Sequence, residues 1–376
     1  MALGFSALAF RRKLNLWYRE HARKLPWRGV DDPYATWLSE IMLQQTRVAT
    51  VIDRYREFLL RFPTISDLAR ADEADVLALW SGLGYYRRAR MLHRGAQFVE
   101  REMQGKLPGT VAELRTLPGV GEYTAAAIAS IAFGESVAVL DGNVERVLQR
   151  LLGESEDKSS RGHSRLVAVA GMLVPPAKRG RGARSAGVVE IDNPAGDHNQ
   201  AMMELGAIIC LPRSPLCREC PVMEHCRTRG EHATLARAKM QSRTVAHLLA
   251  LRMRGVETEV LLERRAKEAS QMAGMMELPP LPLDGTQGRE PVLRLRHAIT
   301  NTNYYVLIFT ESAASGNGEG ELGVESSLVQ QIPAAADDLE WVPTSKLAQL
   351  PLTGLARKAL QRLQMMSVPR LMMGKE

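Results

Sequence analysis

The sequence predicts a multidomain protein: an all-α region over residues 1–230, a linker over 231–244, and an α+β region over 245–376. Three observations carry this. From Leu14 to Ile209 apolar residues recur three and four apart, the period of a helix with one buried face. From Val245 the pattern changes to short β-branched or aromatic runs, such as Glu257 to Leu262 and Asn303 to Thr310, bounded by Gly, Asn and Ser. Between them, Arg227 to Arg243 is polar and basic, as a connector would be. A chain of 376 residues is long enough for two or three independent cores.

Within the helical region, Pro63, Gly82, Gly84, Pro108, Pro118, Gly119 and Gly121 mark the breaks between helices. Residues 175–187, reading PPAKRGRGARSAG, have too few apolar side chains to pack and are expected to form a mobile basic loop. A patch at 313–323, rich in Gly, Ser and Glu, is a second low-complexity segment, and no internal repeat is visible. The net charge of +7 and pI near 9.3 favour a polyanionic partner. No stretch approaches eighteen continuous apolar residues, so a membrane span is not expected. The apolar start, Met1 to Ala9, precedes Arg11, Arg12 and Lys13, the reverse of a secretory signal, and the expectation is a cytoplasmic monomer.

All four cysteines crowd together as Cys210-x6-Cys217-x2-Cys220-x5-Cys226. Disulfide frameworks spread their cysteines to staple loops, so this array points to a metal centre in a reducing compartment. The spacing alone leaves tetrahedral zinc and an iron-sulfur cube both open. The eight histidines form no metal pattern. Upstream, Leu117-Pro-Gly-Val-Gly-Glu-Tyr-Thr124 lies between a helical stretch and the Ala-rich run Ala125 to Ala132. Gly119, Val120 and Gly121 there predict a tight turn whose backbone N–H groups, at a helix mouth, can meet a phosphate oxygen. This is a helix-hairpin-helix signature, which holds DNA without reading its sequence.

Several long motifs in order now resemble a known family: Leu25-Pro-Trp-Arg28, Trp37-Leu-Ser-Glu-Ile-Met-Leu-Gln-Gln-Thr46, Gly82-Leu-Gly-Tyr-Tyr86, the hairpin, Leu140-Asp-Gly-Asn-Val144, Asn199-Gln-Ala-Met-Met203 and the cysteine array. From Trp17 to Cys226 the chain resembles the endonuclease III superfamily of helix-hairpin-helix DNA glycosylases, and within it the adenine DNA glycosylases. The resemblance implies a [4Fe-4S] cluster on Cys210, Cys217, Cys220 and Cys226, and a double-stranded DNA partner carrying adenine opposite 8-oxoguanine or guanine.

It also assigns roles. Breaking an N-glycosidic bond needs an acid for the leaving base and negative charge for the oxocarbenium sugar. Glu40 and Asp141 match the family's pair. On the residues alone Glu40 reads as a solvated helix-face carboxylate, although Trp37, Leu38, Ile41, Met42 and Leu43 around it would raise its pKa. Asp141, before Gly142 and Asn143, reads as a helix N-cap, and by resemblance stabilises the cation, through a transient covalent adduct. Tyr123 stands where the family's glycosylase-lyases carry the lysine that forms a Schiff base, which a phenol cannot do, so base release without strand cleavage is expected. Asn143 supports Asp141. The base is flipped from the duplex into a pocket of Trp27, Arg28, Glu40 and Gln200. Tyr85, Leu83 and Gln45 match the group that wedges into the stack and meets the damaged guanine. Gln44 shares a helical face with Glu40.

The C-terminal region resembles the family's Nudix-like module through Gly274-Met-Met-Glu-Leu-Pro279, Leu339-Glu-Trp-Val-Pro343 and Leu350-Pro-Leu-Thr-Gly354. No Glu-rich helix follows Gly274, so binding without pyrophosphate hydrolysis is expected. The segment Leu295-Arg-His-Ala-Ile-Thr-Asn-Thr-Asn303 occupies the place of the family's lesion-checking loop. The usual Phe-Ser-His core is Ile299-Thr300-Asn301 here, with His297 upstream and Thr300 able to act as the Ser does.

Overall fold

The computed structural model describes residues 3–176, 193–232, 240–266, 268–269, 272–299, 301–312, 328–333 and 338–366. Most of the basic segment at 175–187, half of the linker, Thr300 and the patch at 313–323 lie outside the described residues. The chain separates into two compact units, residues 1–70 with 91–236, and residues 71–90 with 237–376. The excursion of 71–90 into the second unit is a departure from simple sequence order. Among the described residues no helix is long and apolar enough to cross a membrane.

The helices, in chain order, are α1 (Ala7–His21), α2 (Pro33–Leu43), α3 (Val48–Arg61), α4 (Ile65–Arg70), α5 (Glu73–Leu79), α6 (Arg87–Met103), α7 (Val111–Leu114), α8 (Glu122–Phe133), α9 (Gly142–Leu152), α10 (Ser160–Leu173), α11 (Pro194–Ile208) and α12 (Gly354–Arg362). Helix α2 starts where its sequence says it should: the Asp32 side chain accepts from Tyr34 N, and Pro33, lacking an N–H, takes the first turn. Helix α8 stops at Gly134, whose φ of 74° the left-handed cap requires. Asn193 ties two helices together. Its Nδ2 donates to the carbonyls of Ser130 and Ile131 at the end of α8, while its Oδ1 accepts from Gly196 N in the first turn of α11. One core of the first unit packs α1, α9, α10 and α11 through Phe10, Leu14, Val147, Leu148, Leu166, Leu173 and Leu205.

The second unit is built on a mixed sheet of β1 (Gln241–Arg254), β2 (Glu257–Arg264), β3 (Met276–Glu277), β4 (Pro280–Leu281), β5 (Leu293–Ile299), β6 (Thr302–Ser312) and β7 (Leu339–Pro343). Its main path runs β3-β2-β1-β6-β5, with β4 on β1 and β7 on β2. β1 and β6 run parallel, Gln241 opposite Thr302 through Leu251 opposite Ser312. One apolar face, with Leu249, Val260, Val306 and Ile308, packs on Leu355, Ala359 and Leu360 of α12; the other forms a smaller core around Leu248, Leu261 and Phe309. This is the expected α+β region. The segment 71–90 joins it because its polar groups find partners there: Tyr86 Oη donates to Leu352 O at 2.9 Å, Arg357 donates to Ser81 Oγ, and Arg90 to Ala273 O.

Candidate active site

In the first unit a cavity of about 560 Å³ is walled by the 23–28 segment, α2, the start of α8, the 140–143 turn and α11. It gathers Trp27, Arg28, Glu40, Gln44, Gln45, Tyr123, Asp141, Asn143 and Gln200, all predicted from sequence. Gly119, Val120 and Gly121 are not among its lining residues.

Glu40 corrects the reading made from residues alone. It is 6% exposed, not a solvated face, because α2 is buried on nearly every side from Tyr34 to Met42. Burial pushes its carboxyl up to about 7; Asp141 adds to this, while the Tyr123 hydrogen bond and Arg28 oppose it. Tyr123 Oη donates to Glu40 Oε2 at 2.8 Å and touches Met203 Sδ at 3.6 Å. Its own pKa is driven well up by burial and by Glu40 and Asp141, so it remains a donor. With Oε2 engaged, Oε1 is the oxygen left to carry Glu40's proton.

Asp141 is an N-cap, as its place before Gly142 predicts, and more. Its Oδ1 accepts from Asn143 N (3.0 Å) and Val144 N (2.7 Å), its Oδ2 from Asn143 Nδ2 (2.9 Å). Three donors and the positive end of α9 hold an anion in fixed orientation at the cavity wall. Asn143 is held in turn by Arg146, whose Nη2 donates to its Oδ1 at 2.9 Å. The extended run leading to Asp141 is fixed by Asn199, which accepts from Val139 N and donates to Val137 O.

Gln44 caps the end of α2 and its Nε2 donates to the buried Thr124 Oγ1 at 3.2 Å. Gln45 follows with φ of 54°, a left-handed backbone that only a fixed turn sustains in a side chain of this kind. Trp27 is buried edge-on to Tyr55 with centroids 5.4 Å apart.

Glu204 is the residue that sequence reading missed. It is 1% exposed, and its oxygens accept from Arg23 N, Nε and Nη2 at 3.0, 2.8 and 2.6 Å and from Arg28 Nη2 at 2.7 Å. Burial pushes its carboxyl up, but the bonds from Arg23 and Arg28 outweigh this and hold it at about 2. The available signal was its spacing: Gln200 and Glu204 are four apart on α11 and share a face.

The hairpin turn closes through Val120 N to Leu117 O at 3.1 Å. Gly119 has φ of 77°, and a Cβ there would lie 2.4 Å from Met91 Cβ, so both backbone and space demand glycine. Gly121, with φ of −87° as the N-cap of α8, has neither need; its bare Cα leaves the first-turn N–H groups of α8 unobstructed.

Leu83 and Tyr85 belong to the second unit. Leu83 is 4% exposed, whereas Tyr85 is 49% exposed, so of this pair Tyr85 is the one presented. Its backbone φ of 48° is left-handed, and Arg88 locks the loop by donating to the carbonyls of Leu83 (3.1 Å) and Gly84 (3.2 Å) while lying over the Trp80 and Tyr85 rings. In the same unit Ile299 pairs with Thr302 across the β5–β6 hairpin, and Thr300 lies outside the described residues.

The cysteine loop is organised by Arg150, which is 2% exposed. Its guanidinium donates to Leu211 O, Pro212 O and Cys210 Sγ at 2.7, 2.9 and 3.3 Å, and Arg229 N donates to Cys226 Sγ at 3.4 Å. Burial, then the neighbouring cysteines, push the Cys220 thiol up to about 11. Among the described residues no three His, Cys, Asp or Glu side chains are grouped to hold a single metal ion. The four thiols nonetheless influence one another and have N–H donors on two of their sulfurs, a donor set that suits a polynuclear thiolate-bound cluster.

Residues 38–169 match the family described as HhH-GPD superfamily base excision DNA repair protein. Over this span the chain is similar to that family. The span contains Glu40, Tyr123, Asp141 and Asn143, while Trp27, Arg28, Gln200 and Glu204 are supplied from outside it. Human adenine DNA glycosylase is 47% identical over 231 residues, 59% of this chain and 39% of that protein. The adenine DNA glycosylase of Buchnera aphidicola subsp. Baizongia pistaciae is 37% identical over 224 residues, 59% of each. The chain therefore spans well under two thirds of these relatives' length. A solved thermostable thymine-DNA glycosylase superposes with a TM-score of 0.51 and 28% identity over 59% of this chain and 96% of that one. The matched span holds both Glu40 and Asp141.

Proposed function

We propose that this protein is a monofunctional adenine DNA glycosylase acting on adenine opposite 8-oxoguanine or guanine. The observation that carries the chemistry is the buried Glu40, paired with Tyr123 and facing a cavity shared with Asp141. The names of the relatives support adenine as the base.

In this reading the flipped adenine enters the cavity and Glu40, whose raised pKa keeps a large protonated fraction at neutral pH, gives its proton to N7. The C1′–N9 bond breaks, both bonding electrons leaving with the base, and positive charge develops on the sugar. Asp141, its orientation fixed by Asn143 and the α9 N-terminus, stabilises that charge. Water then adds at C1′ and its proton returns to Glu40. With Tyr123 in the lysine's place no Schiff base forms. Gly119, Val120 and Gly121 bind the backbone, Gln45 and Tyr85 fill the disturbed stack, and Thr300 with the Nudix-like unit inspects the opposite base. Cys210, Cys217, Cys220 and Cys226 would hold a [4Fe-4S] cluster, which orders the loop for DNA binding when present.

Single-turnover excision on duplexes with adenine opposite 8-oxoguanine, adenine opposite guanine, and thymine opposite guanine tests this. Adenine release is expected from the first two, with the rate falling above pH 7 as Glu40 loses its proton, and Glu40→Gln is expected to lose at least about a hundredfold. Thymine release instead would favour the activity named for the solved relative; borohydride trapping on DNA would contradict the monofunctional assignment.

A further inference from the structure

The polar groups lining the cavity are unevenly committed. Glu204 spends both oxygens on Arg23 and Arg28, and Ser39 Oγ donates to Thr36 O at 2.9 Å. Gln200 is different. Its Oε1 accepts from Tyr18 Oη at 3.2 Å, which leaves its Nε2–H2 as what this side chain offers a ligand.

Tyr18 comes from α1 and is 9% exposed, with the Arg28 guanidinium 5.3 Å above its ring. Burial pushes its phenol up to about 12, so it stays protonated and needs an acceptor. Gln200 Oε1 is the acceptor it has. A half-turn of the amide would keep its shape but leave the buried phenolic proton without a partner, so the fold chooses one of two otherwise equal orientations.

We infer that Tyr18 is a positioning residue for base selection: it fixes Gln200 with its N–H aimed at the lone pair on adenine N1, and so sets the pocket against purines that carry a proton there. Adenine has a lone pair at N1 and an amine at C6; guanine and hypoxanthine have N1–H and a C6 carbonyl, the opposite polarity. A donor facing N1 therefore attracts the first and repels the second. This inference rests on the adenine reading.

The test compares single-turnover excision of adenine and of hypoxanthine from the same duplex position by the wild type, Tyr18→Phe, Gln200→Ala and the double variant. Tyr18→Phe keeps the ring beneath Arg28 and removes only the hydroxyl, so the adenine-to-hypoxanthine rate ratio should fall about tenfold, the size of one buried hydrogen bond. In the Gln200→Ala background, where the amide is gone, Tyr18→Phe should change the ratio no further. An unchanged ratio in Tyr18→Phe, including an equal loss on both bases, overturns the proposal, as does the same drop in the double variant. Gln200→Glu supplies a second reading independent of whether Tyr18→Phe folds: an acceptor facing the cavity has to shift preference toward hypoxanthine, and retained adenine preference counts against the assignment. Failure of the wild type to release adenine at all would instead sink the adenine reading.

Discussion

Glu40 concentrates the physics of the site in one side chain. Its folded value of about 7 lies above the ordinary 4.5, so folding favours the protonated form. The corresponding stability is fully present below about pH 4.5 and is lost as pH rises through 7, a difference of about 3 kcal/mol at 1.4 kcal/mol per unit. Glu40→Gln retains an oxygen for Tyr123 and cannot ionise. Urea unfolding should show the variant close to wild type at pH 4.5 and more stable by up to about 3 kcal/mol at pH 8. A gap of the same size at both pH values would mean that Glu40 is not ionising in a buried site. This residue also shows what the chain order reveals and what it conceals. Its apolar neighbours were visible, but their number alone fits a half-exposed helix. The packing of α3 and α8 against α2, which chain order does not show, makes the burial complete.

At the scale of elements, the hairpin and α9 do most of the positioning. Both were legible, since Leu117 to Thr124 and Leu140 to Val144 carry turn and cap residues whose conformational demands are local. The glycines separate into two kinds that spacing could not distinguish. Gly119→Ala places a Cβ against Met91 and forces Ala into a left-handed backbone, which alone costs about 1–2 kcal/mol. Gly121→Ala meets no atom within 4 Å and should change stability by no more than about 0.5 kcal/mol. Yet Gly121→Ala should weaken affinity for all duplexes alike, because its methyl sits at the mouth of α8. Denaturation and duplex-binding curves on the pair check this; a loss of affinity confined to one base sequence would contradict a backbone role. Helix α9 reaches further, with Asp141 at its start and Arg146 and Arg150 bonded into the cysteine loop. Replacing Cys217 with Ser should therefore disturb folding or duplex binding more than the excision step, measured as stability, affinity and single-turnover rate on one preparation. Normal binding with excision abolished would argue for a direct chemical role of the centre.

For the molecule as a whole, the division into units is what sequence order could least predict. Residues 71–90 sit in the middle of the helical region, and nothing in their own periodicity points to a sheet nearly two hundred residues away. Beside the buried Val76, Leu77 and Trp80, polar satisfaction helps to place them. Tyr86 and Ser81 are buried, and their hydroxyl partners, Leu352 O and the Arg357 guanidinium, come from the far end of the chain. Arg90, which also bonds Glu73, likewise donates to Ala273 O. A shortened chain ending at residue 230 keeps every lining residue of the cavity but strips away those partners and the packing that goes with them. Limited proteolysis should then cut such a chain first between residues 71 and 90, while α8, α9 and α11 stay protected, and the full chain should resist cleavage there. Cleavage in α8 or α9 before 71–90, or equal resistance of 71–90 in both chains, would show that this segment does not draw its order from the second unit.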